Sequence, residues 1–235
     1  MYYLIAMCGR FNITHMPGLQ GLLQRLDIDL ELPEPRYNVA PTEDVVLLRE
    51  GRADSARWWL VPSWAKEVST RYSMFNARAE SLASSPAFKH PFRQQRGIVP
   101  MSSFVEWRVE NGGKQPWVIT NAAQTIAVAA LWDVWEGGTE PLLSCTLVTT
   151  EAAAAFRPWH SRMPVMLTPQ ECTQWMDNRR PIDPRDPMLA PTLKFDLTLY
   201  PVSPAVGSAR RKEATLFRPI DQAITLPTSA SAANA

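Results

Sequence analysis

The spacing of apolar residues changes along the chain, and with it the element predicted. Over residues 17–26 they fall at Leu19, Leu22, Leu23 and Leu26, the spacing of a helix that buries one face. Pro33-Glu34-Pro35 stops that element, and Asn38-Val39-Ala40-Pro41-Thr42 reads as a rigid loop. Residues 11–14, 45–48 and 56–61 predict short strands, and residues 77–83 and 86–92 two short helices. Strand-like runs then dominate at 97–100, 104–109, 116–120, 126–131 and 142–149, with Gly112-Gly113 and Gly137-Gly138 as hairpin turns. Residues 151–156 and 169–176 predict helices, the second with Thr168 as N-cap and Pro169 in its first turn. Residues 192–202 predict a last strand. No repeat or linker interrupts the pattern. The expectation is a single β-rich α+β domain, a barrel-like mixed sheet core flanked by short helices, over residues 8–222. Residues 1–7 are expected to be an extension absent from or removed in the mature protein, and 223–235 a disordered tail.

Composition narrows the classes. A chain of 235 residues with 46% hydrophobic and 20% charged residues has the profile of a soluble globular domain. A net charge of +1 excludes a basic coat, so any nucleic-acid binding must come from a local patch. The basic residues are 19 Arg and 5 Lys. Arg pairs bidentately with phosphate and stacks on flat rings, although a GC-rich genome gives the same bias. The three cysteines, Cys8, Cys145 and Cys172, are widely spaced with no paired motif, which argues against a disulfide framework or a zinc site. Cys145 and Cys172 read as small core residues. No signal peptide is recognisable, and no apolar run approaches the ~20 residues of a membrane span, so a cytoplasmic protein without a membrane partner is expected.

Four segments concentrate reactive groups: Met7-Cys8-Gly9-Arg10-Phe11, Phe75-Asn76-Ala77-Arg78-Ala79-Glu80, Phe104-Val105-Glu106-Trp107 and His160-Ser161-Arg162-Met163-Pro164. Met7 before Cys8 is a substrate for methionine removal. If translation starts at Met7, Cys8 becomes the first residue and displays an amine and a thiol together. That pair condenses with an aldehyde to a five-membered thiazolidine; the alternative is an inert cysteine that happens to follow a methionine. His160 is a general acid-base candidate or a satisfied structural histidine. Strand alternation sets Glu106 on the face opposite Val105 and Trp107, either near aromatics or towards solvent. Asn76 and Arg78 read as a helix cap and a surface charge unless the site uses them. Trp58, Trp59, Trp64 and Trp107 are stacking surfaces for single-stranded nucleic acid or core residues. No dinucleotide fingerprint, phosphate loop, zinc-protease or nucleophile-elbow motif occurs.

Taken together, these segments resemble the SOS response-associated peptidase (SRAP) family of abasic-site processing proteins. The resemblance also rests on Tyr37-Asn38-Val39-Ala40-Pro41-Thr42, Val61-Pro62-Ser63-Trp64-Ala65 and Thr149-Thr150-Glu151, in the family's order, and covers residues 7–220. It implies a protein of the DNA-damage response that binds single-stranded DNA at an abasic site and traps the sugar aldehyde as a covalent thiazolidine. Cys8 is then the nucleophile, with Asn76, Glu106 and His160 around it. His160 assists sugar ring-opening and proton transfer, Glu106 acts as acid-base near the Cys8 amine, including in reversal of the link, and Asn76 holds the amine or a sugar oxygen. Arg10, Arg78 and Arg162 are expected on phosphates. Trp64, Trp107 and the loop with Asn38, Pro41 and Thr42 are expected along the strand's path. No metal or organic cofactor is implied, and a monomer, associated with the nucleoid when on damaged DNA, is expected. Leu60 departs from the family's usual Gly, Met101-Ser102-Ser103-Phe104-Val105 from its usual Gly-aromatic-aromatic run, and Val206-Gly207-Ser208 from an Asn-containing segment. Two other classes stay open: a self-processing thiol peptidase using Cys8 with His160, and a non-covalent single-strand binding module.

Overall fold

The computed structural model describes residues 9–31, 34–110 and 112–229. The strands in chain order are β1 (Phe11–Ile13), β2 (Arg36–Val39), β3 (Asp44–Arg49), β4 (Arg52–Trp58), β5 (Asn76–Arg78), β6 (Arg96–Met101), β7 (Ser103–Glu110), β8 (Gly113–Thr120), β9 (Ile126–Trp135), β10 (Leu142–Glu151), β11 (Arg162–Pro164), β12 (Met166–Leu167), β13 (Leu197–Pro201) and β14 (Ile224–Leu226). The α-helices are α1 (Leu19–Arg25), α2 (Lys89–Gln94) and α3 (Pro169–Met176). Strands β10, β4, β3, β6 and β9 pair in that order, and β9 pairs back with β10, which closes a five-stranded barrel. A second sheet runs β14-β13-β8-β7-β1-β2. The expected α+β architecture with a barrel-like core is therefore what the chain forms. No helix among the described residues is long and apolar enough to cross a membrane.

Alternation along β9 shows how the core is divided. Val128, Ala130 and Trp132 enter a large cluster with Phe11, Trp58, Phe104, Phe156 and Leu199. Their neighbours Ala127, Ala129 and Leu131 face outward, under Leu22, Phe92 and Trp175 of the three helices. Each such aliphatic or Phe side chain contributes ~1.5–3 kcal/mol on burial. Barrel closure needs a residue without a side chain at Gly97: an added Cβ would lie 2.8 Å from the Leu48 carbonyl and 2.9 Å from Leu47 Cδ1. Beside it, Arg96 is fully buried and donates to the carbonyls of Phe92, Arg93, Trp175, Asp177 and Arg180. One cation thus satisfies the C-terminal ends of both α2 and α3.

Some elements differ from expectation. Residues 77–83 do not begin as a helix. Asn76, Ala77 and Arg78 pair in parallel with Leu147, Val148 and Thr149, and only then does a single 3-10 turn, Ala79–Ser81, follow. Ladder bonds to β10 outweigh the weak helix preference of so short a run. Residues 151–156 are not helical either: Glu151 ends β10 opposite Arg162, and turns fill 154–159. The strand expected at 56–61 lies earlier, at β4, because the turn at Glu50 and Gly51, both at positive φ, sets the β3–β4 register. The last strand is confined to β13. Residues 223–229, expected in a disordered tail, are instead tied down: β14 pairs with β13, and Ser229 donates its N–H to the Leu193 carbonyl. Helix α3 forms as expected, with Thr168 and Glu171 completing a reciprocal capping box.

Candidate active site

Three of the expected catalytic residues lie on segments that border the large core shared by the barrel and the second sheet. On β7, Phe104 belongs to the large core, whereas Val105 and Trp107 belong to a separate cluster on the other face. Glu106 therefore shares the Phe104 face, and it is 1% exposed. Asn76 is set by its pairing: Ala77 and Val148 face the helix layer, while Asn76 lies opposite Leu147, a residue of the large core. His160 follows Phe156 and Trp159 of that same core. Phe104 contacts Phe156 at 6.1 Å between ring centroids, and the Arg108 guanidinium lies 5.2 Å from the Trp159 ring centre. Glu106 sits between Phe104 and Arg108 on one strand face, so these two contacts bring the segment carrying His160 over it.

The start of the described chain arrives at the same place. Phe11 pairs with Phe104, Asn12 with Ser103, and the Arg10 carbonyl accepts from the Val105 N–H at 2.9 Å. Continued outward, this antiparallel register sets Gly9 across from Glu106. Cys8, the expected nucleophile, lies outside the described residues. The other two cysteines are buried. Burial, with Asp44 adding, drives the Cys145 thiol far up. Burial, with Glu171 adding, pushes Cys172 up to about 12. Neither is a thiolate near neutral pH.

Two contacts with the Arg162 backbone bear on which nitrogen of His160 carries its proton. Its Nδ1 accepts from the Arg162 backbone N–H at 3.1 Å and lies 3.3 Å from the Arg162 carbonyl. A backbone amide keeps its hydrogen, so Nδ1 is the acceptor and the neutral ring carries its proton on Nε2. Burial holds the imidazole below the ordinary histidine range; a backbone contact with Arg162 opposes this, and the Arg162 charge adds to it. His160 therefore offers an N–H, not a lone pair, at Nε2.

The expected phosphate ligands divide. Arg78 is exposed and has no ion pair among the described residues. Arg162, by contrast, is engaged by Glu80: Nη1 donates to Oε1 at 3.0 Å and Nη2 to Oε2 at 2.9 Å, with a further bond to the Thr149 carbonyl at 2.8 Å. Burial pushes the Glu80 carboxyl up, but the Arg162 bonds and charge, with backbone N–H groups, outweigh it and hold the group below its usual range. Arg10 is likewise occupied. Its Nη1 donates to Asn38 Oδ1 at 3.0 Å and to the Val206 carbonyl at 2.7 Å, and its Nη2 to the Gly207 carbonyl at 3.1 Å.

The path-lining residues also divide. Asn38 is 0% exposed, so it does not meet a strand; its side chain is spent inside the protein. Pro41 is half-buried and Thr42 exposed. Asn38 and Thr42 both hold positive φ, 54° and 80°, which for β-branched Thr42 is strained backbone. Trp107 is half-buried on the opposite face of β7 from Glu106, with the Arg10 guanidinium 5.9 Å from its ring centre. Trp64 is 66% exposed and lines a cavity of about 630 Å³ with Pro62, Tyr72, Met74 and Pro86. Sequence reasoning assigned no role to Glu80 or Arg108. Arg108 was findable as the residue two places along the strand from Glu106, on the same face.

Comparison with known proteins identifies the family and the fold. The family model described as SOS response associated peptidase (SRAP) matches residues 7–209. The abasic site processing protein YoqW of Bacillus subtilis (strain 168) is 35% identical over 226 residues, covering 90% of this chain and 99% of its own. The abasic site processing protein YedK of Escherichia coli (strain K12) is 32% identical over 231 residues, covering 91% and 100%. The abasic site processing protein HMCES of Gallus gallus is 28% identical over 238 residues, covering 85% of this chain and 70% of its own. A crystal structure of a protein from Bacteroides thetaiotaomicron superimposes with a TM-score of 0.75 at 19% identity, covering 90% of this chain and 100% of that one, a likeness of fold alone.

Proposed function

The chain belongs to the SOS response-associated peptidase family, and from that premise we propose that it recognises abasic sites in single-stranded DNA and captures them covalently through Cys8. What supports this reading is that Glu106, Asn76 and His160 lie on segments bordering one core cluster, and that the register of β1 on β7 directs the described chain, from Gly9, towards Glu106. The reaction requires Cys8 to be the first residue of the working chain, with residues 1–7 absent or removed.

The open-chain sugar presents an aldehyde at C1′. The Cys8 amine adds to that carbon and water leaves, giving an imine. The thiol then adds to the imine carbon and its proton passes to the nitrogen, closing a thiazolidine with one water released overall. Glu106 receives the proton that the amine must lose before it attacks. His160 directs its Nε2–H at the sugar oxygen as the ring opens, and Asn76 orients the amine or that oxygen. Arg78 meets a phosphate beside the lesion, while Trp64, Pro41 and Thr42 border the strand. An abasic site has no base to read, so backbone charge and aldehyde reactivity do the recognising.

The test is direct. Protein beginning at Cys8, checked by intact mass, is incubated with a single-stranded oligonucleotide bearing one abasic site. A heat-stable protein–DNA band is expected, 18 mass units below the sum of the two components. It should be lost in Cys8→Ala and absent with undamaged DNA. A band that persists in Cys8→Ala, or salt-sensitive binding with no band, would refute covalent capture by Cys8.

A further inference from the structure

Arg10 was expected to hold a phosphate, yet its guanidinium is turned inward. It donates to Asn38 Oδ1, to the Val206 carbonyl and to the Gly207 carbonyl. Its own carbonyl is bonded to the Val105 N–H, next to Glu106. Asn38 grips the same distant segment from below: Nδ2 donates to the carbonyls of Val206, Ser208 and Arg211 at 3.1, 2.9 and 2.8 Å. The Asn38 N–H in turn donates to Asn12 Oδ1 at 2.8 Å, on β1. Lys212 closes the group from outside, bonding the Asn38 carbonyl and the Glu43 carboxylate. The segment 203–213 is thus a strap whose carbonyls receive two side chains from the same end of the β1–β2 pair, Arg10 just ahead of β1 and Asn38 near the end of β2.

Resting on the capture reading above, we propose that Arg10 is a positioning residue for Cys8 and not a phosphate ligand. Between Arg10 and Cys8 stands only Gly9, which has no side chain to pack and the freest backbone of any residue. The chain must therefore be held at Arg10 if the Cys8 amine is to approach Glu106 in one place. A fork with three fixed acceptors holds direction as well as distance; a lysine ammonium carries the same charge but cannot reproduce that geometry. A misplacement of 1 Å at a reacting group costs ~10²-fold in rate.

The experiment separates charge from geometry. Arg10→Lys and Asn38→Asp are made in the chain beginning at Cys8, and adduct formation is followed in single turnover at saturating abasic single-stranded DNA. Affinity and its salt dependence are read in the same variants carrying Cys8→Ala, on an oligonucleotide with a stable tetrahydrofuran abasic analogue. The inference expects the maximal rate of Arg10→Lys to fall at least ~10-fold, with affinity and salt slope unchanged and thermal unfolding confirming a folded protein. Asn38→Asp keeps the acceptor for Arg10 but removes the Nδ2 amide, whose two N–H groups serve three strap carbonyls, and is expected to slow the reaction in the same way. An unchanged rate in either folded variant overturns the inference. So does an Arg10→Ala variant that binds more weakly with its salt slope reduced by ~0.7, the mark of a lost phosphate contact. If the unmodified chain itself forms no adduct, the capture reading fails and this inference with it, an outcome distinct from failure in the variants alone.

Discussion

His160 illustrates how one backbone hydrogen bond decides what a side chain can do. With Nδ1 occupied by the Arg162 N–H, the ring presents Nε2–H to the site. Burial and the Arg162 charge oppose protonation and outweigh the Arg162 carbonyl, 3.3 Å from Nδ1, which would accept from the protonated ring. Crosslinking should therefore show no step at the usual histidine pKa of ~6.5, and its acid limb should lie lower. His160→Gln retains an amide donor that does not titrate. It is expected to stay within ~10-fold of the unmodified rate and to lose that limb, while His160→Ala falls by ~10²-fold or more. Equal loss in both variants would make His160 a proton carrier instead of a donor. The same shift has a stability consequence with a definite sign. Because the folded pKa is below the unfolded one, the contribution is complete above pH ~6.5 and is lost as pH falls from there through the folded value. Denaturant titrations between pH 7 and pH 5 should show a smaller decline in His160→Gln.

Among the elements, β10 organises the site. It pairs with β4 and β5 in parallel and with β9 and β11 antiparallel, so Asn76 and Arg162 are both carried on its C-terminal half. The segments themselves were legible in the sequence, since alternation marked β6 to β10 and the capping signal marked α3. The parallel pairing of β5 was not, because three residues with helix-forming neighbours carry no local mark of a strand formed 71 positions away. Nor was the partner of Arg162: Glu80 stands in a motif that reads as a unit, yet its carboxylate faces a residue 82 positions on. On the opposite side of the barrel, Arg96 joins the ends of α2 and α3. Arg96→Met leaves five carbonyls without their donor, two in buried and three in part-buried bonds, and is expected to cost at least ~3 kcal/mol. For a domain of this size that lowers the melting temperature by ~6–12 °C. Calorimetry measures it, and the crosslinking rate at 25 °C should be unaffected because Arg96 packs in the helix layer away from Glu106.

Across the whole molecule, the net charge of +1 takes on meaning once the arginines are placed. Arg10 and Arg162 are satisfied internally, and Arg78 and Arg157 are the exposed arginines without ion pairs beside Asn76 and His160 among the described residues. Two phosphate contacts on a single strand give a slope of log affinity against log salt of about −1.4. Titrations of the Cys8→Ala protein between 50 and 200 mM salt should find that shallow value; a slope steeper than about −4 would require a basic surface elsewhere. Composition disclosed the sum of charges but not their commitments, which depend on contacts across the fold. The longest of these has a temporal side. During synthesis the segment with Arg10 emerges first, and the Val206 carbonyl that receives its guanidinium follows 196 residues later. At translation speeds of roughly 5–20 residues per second, the N-terminal end waits ~10–40 seconds for its clasp. On the capture reading proposed above, a nascent or truncated chain would carry Cys8 unaligned, and covalent reactivity towards damaged DNA would be a property of finished molecules.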